Sequence, residues 1–244
     1  MGSPYKIKRS GATTILYDVE MVADPVPDFF DPVSHVSGMP SLASGQVKIS
    51  GIGRAEVTYF KHQDMKMVLK HYYRGGMVAR ILKDCYLGFS VENTRAFKEF
   101  RLLKKMQALD LPVPVAVAAH AEKRLFCFRA DLVTQEIEDV KTLAQYLSEK
   151  ELDEELWKKV GACIRLFHDR DVYHADLNAR NILLTAEGDV YLIDFDNSYI
   201  RVGTASWKMS NLTRLKRSLL KFQRNAPGFN FDEQGWSWLL EGYG

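Results

Sequence analysis

The chain predicts an α+β fold: alternating β-type segments fill its first half, helical periodicities fill its second, and a short apolar hairpin lies between them. Thr14-Ile15-Leu16-Tyr17 reads as a first strand, and Pro25, Pro27, Pro32 and Pro40 mark an irregular wrap after it. Val47 to Phe60 and Met65 to Tyr73 read as neighbouring strands joined by the turn His62-Gln63-Asp64. A helix is expected from Val91 to Leu109, capped by Asn93 or Thr94, because Phe97, Phe100, Leu103 and Met106 recur at helical spacing. Ala116 to Ala119 and Leu125 to Phe128 then close the β-rich part, and Asp131 to Ile137 is expected to link it to the rest. Lys141 to Lys150 reads as a short helix. Asp153 to His168 reads as a longer one, with Leu156, Val160, Cys163, Ile164 and Phe167 as its inner stripe. Helices near Asn211 to Phe222 and Asp232 to Leu240 complete the chain. The division is residues 1–130 as a β-rich N-terminal lobe and residues 131–244 as a reduced, mostly helical C-terminal lobe.

With 244 residues and 46% hydrophobic content, the chain suffices for one large domain or two small lobes. The longest apolar run, around Leu111 to Ala119, is broken by Pro112 and Pro114, so no membrane-spanning helix is expected. No basic segment followed by an apolar stretch marks a signal peptide. Cys85, Cys127 and Cys163 lack metal-ligand spacing and fit core positions in a reducing compartment. The net charge is only +2, but seven Lys or Arg and no Asp or Glu lie between Arg201 and Arg224. Nothing in this balance points to a nucleic-acid partner, and no obligate protein partner is expected.

The chemistry concentrates in His174-Ala175-Asp176-Leu177-Asn178-Ala179-Arg180-Asn181 and Asp194-Phe195-Asp196. In the pattern H-x-D-x-x-x-x-N, the Asp accepts the proton of an attacking hydroxyl. The Asn and the first Asp of the second motif hold Mg2+ against the phosphates of ATP. Asn181 to Thr185 and Val190 to Ile193 form an apolar hairpin around Ala186-Glu187-Gly188-Asp189, which should return Asp194 to the side of Asn181. Asp176 is therefore the candidate base, and Asn181 and Asp194 are the candidate metal ligands. Asp196 offers a further carboxylate for metal or acceptor, or a cap for the next turn. His174 is expected to hold the loop rather than to react.

Such chemistry requires upstream parts. Lys70 ends the apolar strand Val68-Leu69-Lys70, where a phosphate-binding lysine belongs. Glu99 lies in register with Leu102, Leu103 and Met106 on the next helix and should face inward to orient that lysine. Gly51-Ile52-Gly53 precedes Lys70 by one hairpin, the place for a phosphate-covering loop, where Gly51 and Gly53 let the backbone approach ATP; a simple turn fits the same residues. Arg74 in Arg74-Gly75-Gly76 is a candidate acceptor contact.

Ala175 stands where many protein kinases carry an arginine that pairs with a phosphorylated loop, which argues against such a switch. No Ala-Pro-Glu segment follows, and the short remainder of the chain is too small for a peptide-binding lobe, so a small molecule or lipid headgroup is the expected acceptor. Asn211 to Phe222 is amphipathic, with Leu212, Leu215, Leu219 and Phe222 on one side and Arg214, Arg217 and Lys221 on another. A basic amphipathic helix attracts anionic lipids or sugar acids; a packed helix with a solvated charged face fits equally. Arg214 and Arg217 are the candidate anion contacts.

Together these residues resemble the 3-deoxy-D-manno-octulosonic acid (Kdo) kinase family, protein-kinase-like kinases of the lipopolysaccharide core. The resemblance covers nearly the whole chain. It rests on His71-Tyr72-Tyr73-Arg74-Gly75-Gly76, Thr94 to Phe100, Leu111-Pro112-Val113-Pro114, His174 to Ala179 and Asn211 to Ser218. Arg180 replaces the family's usual histidine. The resemblance implies a two-lobed protein-kinase-like fold with ATP and Mg2+ as cofactors. It implies phosphorylation of the 4-hydroxyl of a Kdo residue on Kdo-lipid A. The implied location is peripheral, against the anionic cytoplasmic face of the inner membrane of a Gram-negative bacterium. It carries the catalytic role to Asp176, the metal role to Asp194 and the ATP lysine to Lys70. Aminoglycoside or choline kinases share H-x-D-x-x-x-x-N and offer a different acceptor; a non-catalytic nucleotide-binding module is the third alternative.

Overall fold

A computed structural model describes residues 5–31, 55–72, 86–87, 90–124, 127–201, 203 and 206–244. The chain divides into two compact units, Met1–Lys104 with Val115–Glu136, and Lys105–Pro114 with Ile137–Gly244. The expected α+β class holds: a mixed β and α fold with strands gathered first and helices later.

The first unit is built on one antiparallel sheet. Its strands are β1 (Lys6–Ser10), β2 (Thr13–Tyr17), β3 (Ala55–His62), β4 (Met65–Tyr72), β5 (Tyr86–Leu87), β6 (Ala116–Arg124) and β7 (Cys127–Gln135). Their order is β1-β2-β6-β7-β4-β3, with β5 paired to β7. The β3–β4 hairpin turns at Gln63 and Asp64, and Gln63 adopts a positive φ of 55°. Successive side chains of a strand point to opposite faces. Leu69 and its register partner Val133 share one face with Ile15 and Met67, and Phe29 and Phe30 of a short 3-10 turn pack over them. Lys70 lies on the opposite face and meets helix α1 (Arg95–Gln107), whose Phe97, Phe100 and Leu103 are buried.

Residues 131–137, expected as a linker, are strand β7 as far as Gln135. The departure centres on Asp131, a charged residue only 1% exposed. His71 and His120 lie directly opposite it on β4 and β6, and both hydrogen-bond its carboxylate, His120 Nδ1 at 2.9 Å. Burial alone would push Asp131 up; the hydrogen bonds from His120 and His71 outweigh it and hold the carboxyl below its usual range. A partnered carboxylate is thus tolerated inside a sheet.

The second unit carries α2 (Leu143–Glu149), α3 (Glu154–Asp169), α4 (Ser206–Asn225) and α5 (Glu233–Tyr243). β8 (Val140–Thr142) precedes α2, and β9 (Val172–Tyr173), β10 (Ile182–Thr185), β11 (Val190–Leu192) and β12 (Tyr199–Ile200) lie between α3 and α4. Strands β11-β10-β8 form one small sheet, and β12 pairs with β9. Part of the expected helix from Lys141 is strand instead: Thr142 ends β8 and caps α2 through a reciprocal pair with Gln145. Asp153 caps α3 as expected. Helices α3 and α5 pack closely enough that glycine is required at their contact. A Cβ on Gly161 would stand 2.0 Å from the Leu239 carbonyl oxygen, and one on Gly242 2.1 Å from that of Lys158. The Thr185–Val190 hairpin forms as the apolar pattern predicts.

Candidate active site

Within the first unit, Lys70 Nζ lies 3.1 and 3.0 Å from the two carboxylate oxygens of Glu99. Their side chains are 15% and 4% exposed, so this is a largely desolvated pair. Tyr72 was not foreseen. Two residues along β4 and so on the same face, it donates its hydroxyl to Glu99, and the Lys70 ammonium sits 4.9 Å from its ring centre. The Glu99 carboxylate therefore has three donated hydrogen bonds fixing its orientation. Gly51, Gly53 and Arg74 lie outside the described residues.

Within the second unit, the hairpin does what its spacing predicts: Ile193 N–H donates to the Asn181 carbonyl at 3.0 Å, which sets Asp194 beside Asn181. Asn181 donates through Nδ2 to the Asp176 carbonyl at 2.9 Å, leaving its Oδ1 directed elsewhere. Asn178 donates to the same carbonyl at 2.9 Å and accepts from Arg180 N–H at 2.8 Å. The loop is thus held through the backbone of Asp176, while the carboxylate itself is 63% exposed.

His174 has a structural part. Its Nδ1 accepts from the Asp176 backbone N–H at 3.1 Å, so its Nε2 carries the proton donated to the Ile193 carbonyl at 3.0 Å. One neutral ring thereby ties the Asp176 loop to the end of β11. Phe195, 1% exposed, packs against Phe167 and His174. Its burial leaves Asp194 exposed, at a φ of 62°. Few L residues other than Asn and Asp adopt that conformation readily. Asp196 is half-buried at the start of a turn closed by Ser198 N–H on the Phe195 carbonyl.

Helix α4 runs along this loop as a rail. Asn211 accepts from His174 N–H at 3.3 Å and donates to the His174 carbonyl at 2.9 Å. One turn on, Arg214 Nη1 lies 3.7 Å from the Asp176 carboxylate. Ser218 accepts from Ala179 N–H at 3.3 Å, and Arg180 stacks over Phe222 at 5.1 Å. Positions 211, 214, 218 and 222 share one helical face. Arg217 points to another side of α4 and makes none of these contacts. Asn211 also meets His168, whose Nε2 is 3.4 Å from Asn211 Oδ1 and whose Nδ1 is 2.8 Å from the Tyr243 hydroxyl. Burial pushes His168 down to about 4, so it is neutral around pH 7.

Asn181 and Asp194 supply hard oxygen donors, and no cluster of three or more His, Cys, Asp or Glu marks a closed metal site among the described residues. That sparse set fits Mg2+, which takes one or two protein oxygens and completes its shell with phosphates and water.

Residues 45–243 match the family described as Lipopolysaccharide kinase (Kdo/WaaP) family. The chain belongs to that family. It is 41% identical over 201 residues to the 3-deoxy-D-manno-octulosonic acid kinase of Mannheimia succiniciproducens, covering 80% of this chain and 83% of that one. To the enzyme of the same name from Actinobacillus succinogenes it is 40% identical over 213 residues, 84% and 88% of the two chains. To that from Vibrio vulnificus it is 35% identical over 233 residues, 96% and 95%. Membership makes the chain a kinase. Among the described residues, no helix is long and apolar enough to cross a membrane.

Proposed function

We propose that this kinase transfers the γ-phosphoryl group of ATP to the 4-hydroxyl of a Kdo residue on Kdo-lipid A. The observation that carries the acceptor class is the guanidinium of Arg214 beside the exposed carboxylate of Asp176. An ion pair with side chains 49% and 63% exposed contributes little to stability, so Arg214 is held there at small structural gain. Next to a base that receives a hydroxyl, a guanidinium suits an acceptor that brings its own carboxylate, as a sugar acid does. The same positive charge opposes a polycationic amino sugar, which counts against the aminoglycoside alternative.

In this reading Asp176 orients the attacking hydroxyl and takes its proton as the bond to phosphorus forms and the bond to the ADP oxygen breaks. Arg214 holds the acceptor's carboxylate so that one hydroxyl faces Asp176. Lys70, oriented by Glu99 and Tyr72, serves the ATP phosphates. Mg2+, held by Asn181 Oδ1 and Asp194, would neutralise phosphate charge. His174 and Asn211 keep the loop in shape and exchange no proton with substrate. Gly51 and Gly53 as a phosphate cover, and Arg74 and Asp196 as further acceptor contacts, belong to the same proposal. So does a peripheral position on the anionic cytoplasmic face of a Gram-negative inner membrane, where such an acceptor is made.

The test is mass spectrometry of purified Kdo-lipid A after incubation with the protein, ATP and Mg2+. A gain of one phosphoryl group on the sugar supports the proposal. No gain, with transfer to an amino sugar instead, overturns it.

A further inference from the structure

Arg180 lies four residues beyond Asp176 and has no part in the chemistry above. Its backbone N–H is held by Asn178, and the preceding N–H, of Ala179, by Ser218 of α4, so the chain here is fixed against the helix. The guanidinium sits 5.1 Å from the ring centre of Phe222. Phe222 in turn stacks on the buried Phe229, 5.3 Å away with the ring planes 17° apart. A ring steadies a guanidinium without occupying its N–H donors. Arg180 is exposed, and among the described residues no carboxylate pairs with it. Lys221, next to Phe222, is likewise exposed and has no carboxylate partner among the described residues. Seven residues on from Arg214, it returns to nearly the same line of α4, about 10 Å farther along the axis. Helix α4 itself carries no Asp or Glu. Like charges gathered on one side of a helix repel one another until an anion joins them.

We propose that Arg180, with Lys221 beside it, forms a second anion subsite that binds a phosphate ester on the lipid A part of the acceptor. The inference rests on the reading of the acceptor given above and deepens it: Arg214 meets the carboxylate of the reacting sugar, and Arg180 reads a second anionic group farther out. A phosphate monoester suits the place better than another carboxylate. It carries close to two negative charges near neutral pH and three acceptor oxygens, enough for a planar fork and an ammonium together. Two anions held at separate points fix the acceptor's direction as well as its presence, so that one hydroxyl of the sugar is turned to Asp176. Arg180 is on this account a specificity-determining residue and takes no part in the phosphoryl transfer itself.

The test is equilibrium binding to the full chain, without nucleotide and in a neutral detergent, of Kdo-lipid A and of the same acceptor stripped of its phosphate esters. The parent protein should bind the phosphorylated form about tenfold tighter or more. Arg180→Ala should remove about tenfold of that preference and Lys221→Ala about threefold. Parent and variants should bind the stripped acceptor within about twofold of one another, which shows that the variants are folded. Arg180→Lys keeps the charge without the planar fork and should recover only part of the preference. In steady state Arg180→Ala should raise the KM for Kdo-lipid A and leave the KM for ATP unchanged. A parent protein that does not distinguish the two forms, or that binds neither, overturns the proposal. So do variants that lose both forms alike, or that lose affinity for ATP instead. If the preference is present and the variants lose it, yet no phosphoryl group reaches the Kdo residue, the subsite stands and the assigned reaction falls.

Discussion

The two units hold their candidate functional side chains in opposite ways. In the first, Lys70 and Glu99 are themselves structural: the pair is largely buried, bonded together and braced by Tyr72. In the second, the Asp176 carboxylate has almost no structural duty. Its position is set by hydrogen bonds that its backbone carbonyl accepts from Asn178 and Asn181 and that its backbone N–H donates to His174, and through His174 by Asn211. The difference follows from chemistry. A lysine that only neutralises phosphate can be anchored by charge, whereas a base must stay exposed to the proton it accepts and is best positioned through atoms that do not react.

Substitutions separate the two designs, and the largest effect is expected at Asp176. Asp176→Asn should lower turnover about a thousandfold while leaving nucleotide binding and the unfolding midpoint nearly unchanged. A shift of several degrees in that midpoint would break the contrast. Lys70→Met should act on both properties at once. It leaves Glu99 charged and buried without its main partner, at a cost of about 4 kcal/mol in denaturant unfolding, besides weakening ATP use. Wild-type stability in that variant would show that the pair is not structural.

Acid distinguishes the units further. His168 is held near 4 by burial, against about 6.5 when unfolded. As pH falls through that window the unfolded chain binds a proton that the folded one refuses, so stability is lost, by about 3 kcal/mol in total. The Asp131 carboxyl of the first unit is shifted below its ordinary value, so its contribution is present above that value and is lost only at lower pH. Hydrogen exchange between pH 7 and pH 4 should therefore show the amides around α3 and α4 opening before those of β6 and β7. The reverse order would contradict the assignment.

A smaller effect is expected at the hub of the loop support. Asn211→Ala should cost about 2 kcal/mol, since it strips partners from buried groups of His168 and His174, and turnover should fall with it. Asn211→Asp restores the acceptor but not the donor, and partial recovery of the unfolding midpoint would locate the loss in those bonds.

Parts that local pattern dictates were legible in the sequence. The return of Asp194 to Asn181 follows from an apolar hairpin of fixed length. The Lys70–Glu99 pair follows from a strand end and a helical register. What escaped was set by partners distant in the chain. Asn211 and Ser218 acquire their roles from residues 37 and 39 positions away, and periodicity marks them only as polar places on an amphipathic helix. Asp131 disguised a central strand as a linker, because only the fold brings His71 and His120 to its sides. Strand β1 was missed because Lys6–Ser10 is an exposed edge without alternating apolar residues.

We propose that Lys70 and Asp194 serve the same triphosphate. A crystal structure of the full chain with Mg2+ and a non-hydrolysable ATP analogue tests it most directly. The account predicts Lys70 Nζ and the Asp194-bound Mg2+ on oxygens of one nucleotide, with its terminal phosphate facing Asp176. A nucleotide seated with Lys70 remote from the Asp194 carboxylate would contradict it.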